Sequence, residues 1–516
     1  MFRPPRLLPI LSRLAAPLHP ALLFAALLAP CATGAAAAGA ESAASQPYAA
    51  RAERGALLAG PTLARIEMGP FSSAKRIEPE LLSQLLDRAG EDAGQAIGQP
   101  RCTITTYTVR YRTVGGSGEA TDASAALILP SGRDSACKGP RPLLLYAHGT
   151  SISKSHDMAR LRGEARLVAA MFTAQGYIVV APNYAGYEGS SLPYHPYLNA
   201  EQQSADMVDA LRASRAALAK LKVQAAPRLF LAGYSQGGFV TLATQRAMQQ
   251  EYGSEFQVTA AAGLSGPYAM AQMADDVFAG KPNAGITVYL PLIGTSAQRS
   301  GAAIYATPGE LYESQYASGI ETLLPGSLTR EDLFKRGKLP ARALFASDSQ
   351  PQADGSRPYF ADPHLVRSSY RAAYLQDMAE HPCSATPGAC PSQNNLRRWM
   401  LKNDLRNYRP QSPLLLCGAA HDPAVPFYNA TAAASYFRTQ GALPVLLDLE
   451  AQAQQDEYSL YRQGFARHQA AVRQQAQQEG RNPDEAVAER YHARLAAPFC
   501  LLAARAFFDK ALLEPK

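Results

Sequence analysis

Nowhere in the 516 residues is there an unbroken apolar run of the ~20 residues that a membrane-crossing helix requires, so no span is expected. No two cysteines stand at C-x-x-C spacing, which removes the common zinc and thiol-redox motifs, and neither a metal nor an organic cofactor is expected. Although the formal net charge is +7, Lys and Arg are scattered rather than massed in a stripe with aromatics, so nucleic acid is not an expected partner. Internal repeats are also lacking, which argues against a propeller or solenoid. Charged residues make up only 18% and hydrophobic ones 47%, a balance that supports a buried core and excludes wholesale disorder.

What the amino terminus does contain is an address. Arg3, Arg6 and Arg13 precede the apolar run at 21–29 (ALLFAALLA), and the small residues of 35–40 offer A-x-A-like cleavage sites. Residues 1–40 therefore read as a secretory signal, and the mature protein is expected to be secreted or periplasmic. Leu28-Ala29-Pro30-Cys31 distantly resembles a lipoprotein cleavage box, but Pro30 departs from the small residue expected there, so lipidation is the lesser reading. The other six cysteines are even in number, as an exported chain with up to three disulfides would have, and they permit 15 connectivities. The pairing favoured is Cys102 with Cys137, Cys383 with Cys390 and Cys417 with Cys500.

Residues 41–75 are rich in Ala, Ser, Gly and Pro without periodicity, and predict a mobile arm or surface strap. Strand-like alternation begins at 103–112 (TITTYTVRYR), and after the turn at 115–118 it resumes at 123–129. From there, short apolar runs at 142–147, 177–181, 228–232 and 258–264 alternate with helical spacing such as 205–221, the mark of βαβ units and a mainly parallel sheet. Residues 268–410 are irregular and Pro/Gly-punctuated. Strands return at 413–417 and 444–449, and 493–513 closes the chain as an apolar helix. An insertion between late strands is expected to cap the active face, because ligands sit at the carboxyl ends of such strands.

Gly233-Tyr234-Ser235-Gln236-Gly237 matches G-x-S-x-G and lies between a strand and a helical run, where a sharp turn would lift the serine hydroxyl out of the sheet. A serine hydroxyl is a poor nucleophile at neutral pH, so a histidine must take its proton and a carboxylate must orient that histidine. Around such an elbow the acid and then the histidine follow the serine in chain order. Asp422, just past the strand at 413–417, is the expected acid; Asp448 and Asp456 are rivals. His492, before the last apolar helix, is the expected base, with His468 in a polar Gln-rich run as the alternative and His421 too near the acid. The oxyanion is expected to rest on the backbone N–H of Gln236 and on Thr150, through its N–H or its hydroxyl, in the loop His148-Gly149-Thr150-Ser151.

Together, Tyr111-Arg112-Thr113 with 126–130 (ALILP), Ala147-His148-Gly149-Thr150, Gly233 to Gly238, the Asp422 loop and His492 resemble the α/β-hydrolase superfamily and, within it, the secretory lipase family. The resemblance spans roughly residues 100 to 510. It implies an α/β-hydrolase fold with residues 101–267 and 411–516 as the catalytic domain, 41–100 as an arm and helix, and 268–410 as a cap. It also implies hydrolysis of acylglycerols or simpler esters without a cofactor, on a small-molecule or lipid substrate with transient contact to a lipid interface. The segment between Asp422 and His492 is longer than relatives of this kind have. Two other functions compete: a serine peptidase using the same three groups, and a noncatalytic binding protein on the same fold, which would be expected to lack one of them.

Overall fold

Continuous apolar runs dictate the centre of the molecule, because strands covered on both faces have no solvent side on which to place polar residues. The computed structural model describes residues 53–69, 72–87, 98–383, 390–451 and 455–513. The expected signal at 1–40 and Cys31 lie outside the described residues. Four strands come first: β1 (Leu57–Leu63), β2 (Ile66–Gly69), β3 (Ser72–Ala74) and β4 (Arg76–Ile77). Next come the two long strands β5 (Thr103–Val114) and β6 (Ala120–Ser131), followed by β7 (Arg141–Ala147), β8 (Ile178–Pro182), β9 (Ala225–Tyr234) and β10 (Val258–Leu264). After an insertion, β11 (Leu414–Gly418) and β12 (Val445–Asp448) complete the set.

Ten of these strands form one sheet in the order β1-β5-β6-β8-β7-β9-β10-β11-β12, with β4 also paired to β5. From β8 to β12 every pairing is parallel, whereas β1, β4, β5 and β6 pair antiparallel. This mixed, twisted sheet flanked by helices is an α/β-hydrolase fold. One expectation needs correction: residues 57–77 are not a mobile arm but supply strands to the sheet edge and a β2–β3 hairpin, so the sheet starts well before residue 101. The half-exposed, bulged pairing of β1 to β5 explains why no clean alternation announced it.

The period-two geometry of strands divides the core. Along β7, Leu143, Leu145 and Ala147 face one side while Leu144 and Tyr146 face the other. The first face is covered by α3 (Ala200–Lys220) and α4 (Gln236–Gln250), the second by α2 (Glu164–Met171) and the carboxyl-terminal α12 (Ala497–Leu513); α1 (Pro79–Asp87) precedes them all in the chain. Each fully buried Leu or Ile on these faces contributes roughly 1.5–3 kcal/mol. Between β10 and β11 the insertion carries α5 (Met270–Phe278), α6 (Ile286–Arg299), α7 (Ser368–Glu380) and α8 (Asn395–Lys402), together with short turns and irregular chain. Helix α9 (Tyr428–Thr439) links β11 to β12, and α10 (Ser459–Gln478) and α11 (Pro483–Arg490) fill the long segment before α12. Disulfides join Cys102 to Cys137, Cys383 to Cys390 and Cys417 to Cys500, the pairing favoured from sequence.

Candidate active site

Strand register fixes where the chemistry can gather. Ala147 pairs with Gly233, Tyr234 with Leu264, Leu264 with Cys417 and Gly418 with Asp448, so the carboxyl ends of β7, β9, β10 and β11 finish level. The loops that leave them converge on Ser235, which has φ 60° and ψ −121° and caps the start of α4. Such a conformation is strained for a residue with a Cβ, and the surroundings hold it: Ser235 N–H donates to Leu264 O at 2.8 Å. Close approach demands glycine on both sides. A Cβ on Gly233 would lie 2.3 Å from Gly237 O, and one on Gly237 would lie 1.9 Å from Ala147 O.

Ser235 Oγ is 2.8 Å from His492 Nε2, and His492 Nδ1 is 2.6 Å from Asp422 Oδ2. Asp422 is buried, and its other oxygen accepts the N–H groups of Ala424 at 2.9 Å and Val425 at 3.2 Å, which leaves its carboxylate one orientation. His492 sits not simply ahead of the last helix but in a π-helical stretch, Tyr491–Ala496, that runs into α12. Such widened turns recur at functional sites. Its backbone carbonyl accepts the Tyr234 hydroxyl, and the two rings lie 5.0 Å apart. The Cys417–Cys500 bridge joins the end of β11, five residues before Asp422, to α12, eight residues after His492.

The rival groups are engaged elsewhere. His421 is exposed and pairs with Glu450 at 2.8 Å, and His468 faces the Phe499 ring at 6.2 Å. Asp448 accepts the N–H groups of Ala420 and Glu450, and Asp456 pairs with Arg462.

Gln236 follows Ser235 directly, and Thr150 follows Gly149, on which a Cβ would lie 3.7 Å from the Ser235 Cβ. Gln236 opens α4, where the first backbone N–H groups have no partner within the helix. Its buried side chain reaches His195 Nε2 at 2.7 Å. Thr150 Oγ1 shares a hydrogen bond of 2.8 Å with the Tyr197 hydroxyl, and the Thr150 N–H has no partner among the described residues. Beneath the loop, His148, His156 and His195 stack among Tyr184 and Tyr187. Burial pushes the His156 imidazole down to about 4 and that of His195 to about 3, so both are neutral packing groups near neutral pH.

Sequence reasoning passed over Glu164. As the first residue of α2 it looks like any acidic residue at a helix start. Its carboxylate instead turns inward and accepts the Gly149 N–H at 3.1 Å with each oxygen and the Tyr146 hydroxyl at 2.7 Å. Burial raises it to about 6, against the lowering effect of those two donors and of His492.

A narrow cavity of about 60 Å³ opens beside Ser235 and Gln236 and runs under the insertion, lined mainly by apolar side chains such as Met270, Val277, Ile286, Leu290 and Met400. Such a lining excludes water and receives hydrocarbon. Among the described residues no His, Cys, Asp and Glu cluster with metal-binding geometry occurs.

Comparison with known proteins points to the same class. The prolyl oligopeptidase family profile matches residues 164–265, the segment from α2 to Ser265 that holds the elbow. The rice cell wall degrading esterase LipA from Xanthomonas oryzae is 27% identical, with 80% of this chain and 95% of that chain covered at a TM-score of 0.62. Its ligand-bound form aligns at 25% identity over 85% and 97% of the two chains, with a TM-score of 0.65. A Legionella pneumophila protein, 19% identical over 88% and 98%, superposes at 0.64 and speaks to the fold alone. No curated protein matches the sequence. The chain is an α/β-hydrolase. Within that class its likeness is to an esterase.

Proposed function

We propose that the protein is an exported serine hydrolase that cleaves carboxylic esters through an acyl-enzyme, with Ser235 as nucleophile, His492 as general base and Asp422 as the group that orients it. The observation that carries this reading is the unbroken hydrogen-bonded chain of 2.8 and 2.6 Å through the imidazole. A neutral His492 takes the Ser235 proton as Oγ attacks the ester carbonyl, and Asp422 stabilises the imidazolium that forms. The developing oxyanion rests on the Gln236 and Thr150 N–H groups, and the helix α4, with its positive end at the site, favours the same charge. Imidazolium then protonates the leaving alcohol, and water repeats the steps on the acyl-enzyme.

The insertion at 268–410 acts as a cap, its apolar cavity receiving the hydrocarbon part of a small-molecule or lipid ester. Export is supported by the signal-like residues 1–40 and by three disulfides, which persist in oxidising compartments. Amino-terminal sequencing of the mature protein checks that point. One observation favours a second reading: the profile matched at 164–265 belongs to a peptidase family that uses the same groups.

Turnover of a short-acyl nitrophenyl ester against an aminoacyl anilide decides between the two. The ester is expected to be cleaved and the anilide not. In the same assay Ser235→Ala should lose on the order of 10⁴-fold or more in kcat, with its thermal unfolding unchanged. A Ser235→Ala protein that keeps the parent rate refutes the mechanism, and parent protein left unlabelled by a serine-directed organophosphonate does the same.

A further inference from the structure

The Gly149 amide occupies the place where a hydrolase of this fold can offer an oxyanion donor, yet it is already committed. Both Glu164 oxygens accept it at 3.1 Å, and the Tyr146 hydroxyl donates to Oε1 of the same carboxylate at 2.7 Å. The Gly149 carbonyl is equally committed, 2.6 Å from His148 Nδ1. Because a trans peptide holds its C=O and N–H antiparallel, a Gly149 carbonyl turned toward His148 makes the Thr150 N–H face the other way. The Thr150 N–H is thus left without a partner among the described residues, and its direction is set by the groups that hold Gly149. A Cβ on Gly149 would lie 3.2 Å from Glu164 Oε2 and 3.7 Å from the Ser235 Cβ, so the carboxylate and the nucleophile flank the same glycine.

We propose that Glu164 is a positioning residue of the reaction: its carboxylate clamps the Gly149 amide so that Thr150 presents its N–H to the oxyanion. The inference rests on the proposed serine mechanism and adds a residue to it. The groups that face Glu164 are Tyr146 from β7, Tyr184 from the loop after β8, Tyr234 from β9 and His492 from the π-helical stretch. Burial lifts the Glu164 carboxyl to about 6, so the clamp is ionised at and above neutral pH and loses its charge on acidification.

The test compares Glu164→Gln, Tyr146→Phe and Ser235→Ala with the parent, using nitrophenyl ester turnover from pH 4.5 to 9 and urea unfolding. Glu164→Gln keeps the shape but turns one acceptor into a donor that faces the Gly149 N–H or the Tyr146 hydroxyl. Its kcat is expected to fall about 10- to 100-fold with KM little changed, since displaced reacting groups cost rate rather than binding. The part of the parent's acid limb that follows protonation of Glu164, near pH 6, is expected to be missing from its profile, because Gln has no carboxylate to protonate. A purely structural role would leave that limb as it is in the parent.

Tyr146→Phe keeps the charge and loosens the clamp, so kcat should fall less than in Glu164→Gln while the acid limb retains that part. Parent kcat together with an unchanged limb in Glu164→Gln overturns the proposal. If Glu164→Gln does not fold, Tyr146→Phe and Glu164→Asp decide, and parent kcat and profile in both overturn it. Retained activity in Ser235→Ala would refute the serine mechanism itself, a distinct result.

Discussion

The sheet edge that carries the site and the insertion that covers it are stabilised by opposite means. Strands β7 to β11 bury apolar side chains on both faces and satisfy their backbone polar groups through the ladder. The insertion has little ladder, and buried arginines take its place. Arg371 and Arg397 are among the largest fully buried side chains of the protein. Arg371 donates to Phe278 O at 3.1 Å and to the Ser349 hydroxyl at 2.6 Å. Arg397 bridges Asp275 and Asp377 and also donates to His381 O at 2.8 Å. Backbone groups removed from water need partners, and where chain is irregular long side chains provide them. Damage to the sheet edge should therefore appear in chemistry, and damage to the insertion in folding.

Asp422→Asn is the sharpest probe of the first half. Asn is isosteric but can donate where Asp only accepts, so His492 is expected to take the wrong tautomer and lose its ability to accept the Ser235 proton. kcat should fall by about 10⁴-fold with the structure intact. Steady-state kinetics beside a thermal melt checks this. A large loss of stability in that variant would show that Asp422 holds the fold as well as the base, and the contrast between the two regions would fail.

Arg397→Met probes the second half. It leaves the sheet edge untouched but deprives two carboxylates of their cation: Asp275, 19% exposed, and Asp377, 7% exposed. Breaking such a buried network by removing one partner costs about 3–5 kcal/mol. Asp377 keeps the Ser392 hydroxyl and the N–H groups of Gln393 and Asn394, which favours the lower end. Urea unfolding is the measurement. Where the variant remains folded, the kcat of Ser235 chemistry on a short ester should stay within about tenfold of the parent, because no group that touches the reacting atoms has changed.

The same division explains what could be read from sequence. Strands β7, β9, β10 and β11 stand out as short apolar runs, and the elbow declares itself by glycines that the close approach of Ala147 O and Gly237 O demands. The edge strand β1 does not, because its residues are half-exposed and its pairing is bulged. Asp422 and His492 were legible as positions after a late strand and before the last helix, but the π-helical stretch that aims the imidazole has no periodic signature. Glu164 was illegible for a different reason. Its role depends on which way the side chain turns, and one acidic residue at a helix start carries no sign of that. In the insertion, Arg371 and Arg397 read as surface charges until the fold buries them.

The smallest expected effect tests where the two halves of the site are tied together. Cys417 stands at the end of β11, fixed by pairing to Leu264 and Leu447, and Cys500 stands in α12 with no such ladder. Replacing both by Ala removes a cross-link spanning 83 residues without leaving a polar group in two fully buried positions. A loss of about 2–4 kcal/mol is expected, since the bridge acts mainly by restricting the unfolded chain. The folded site retains the 2.6 Å hydrogen bond from Asp422 to His492 and the Tyr234 hydroxyl on the His492 carbonyl. kcat at low temperature should therefore fall by less than about tenfold while the melting temperature drops. A fall of 100-fold or more in kcat with the protein still folded would mean that the bridge, rather than hydrogen bonding, sets the distance between acid and base.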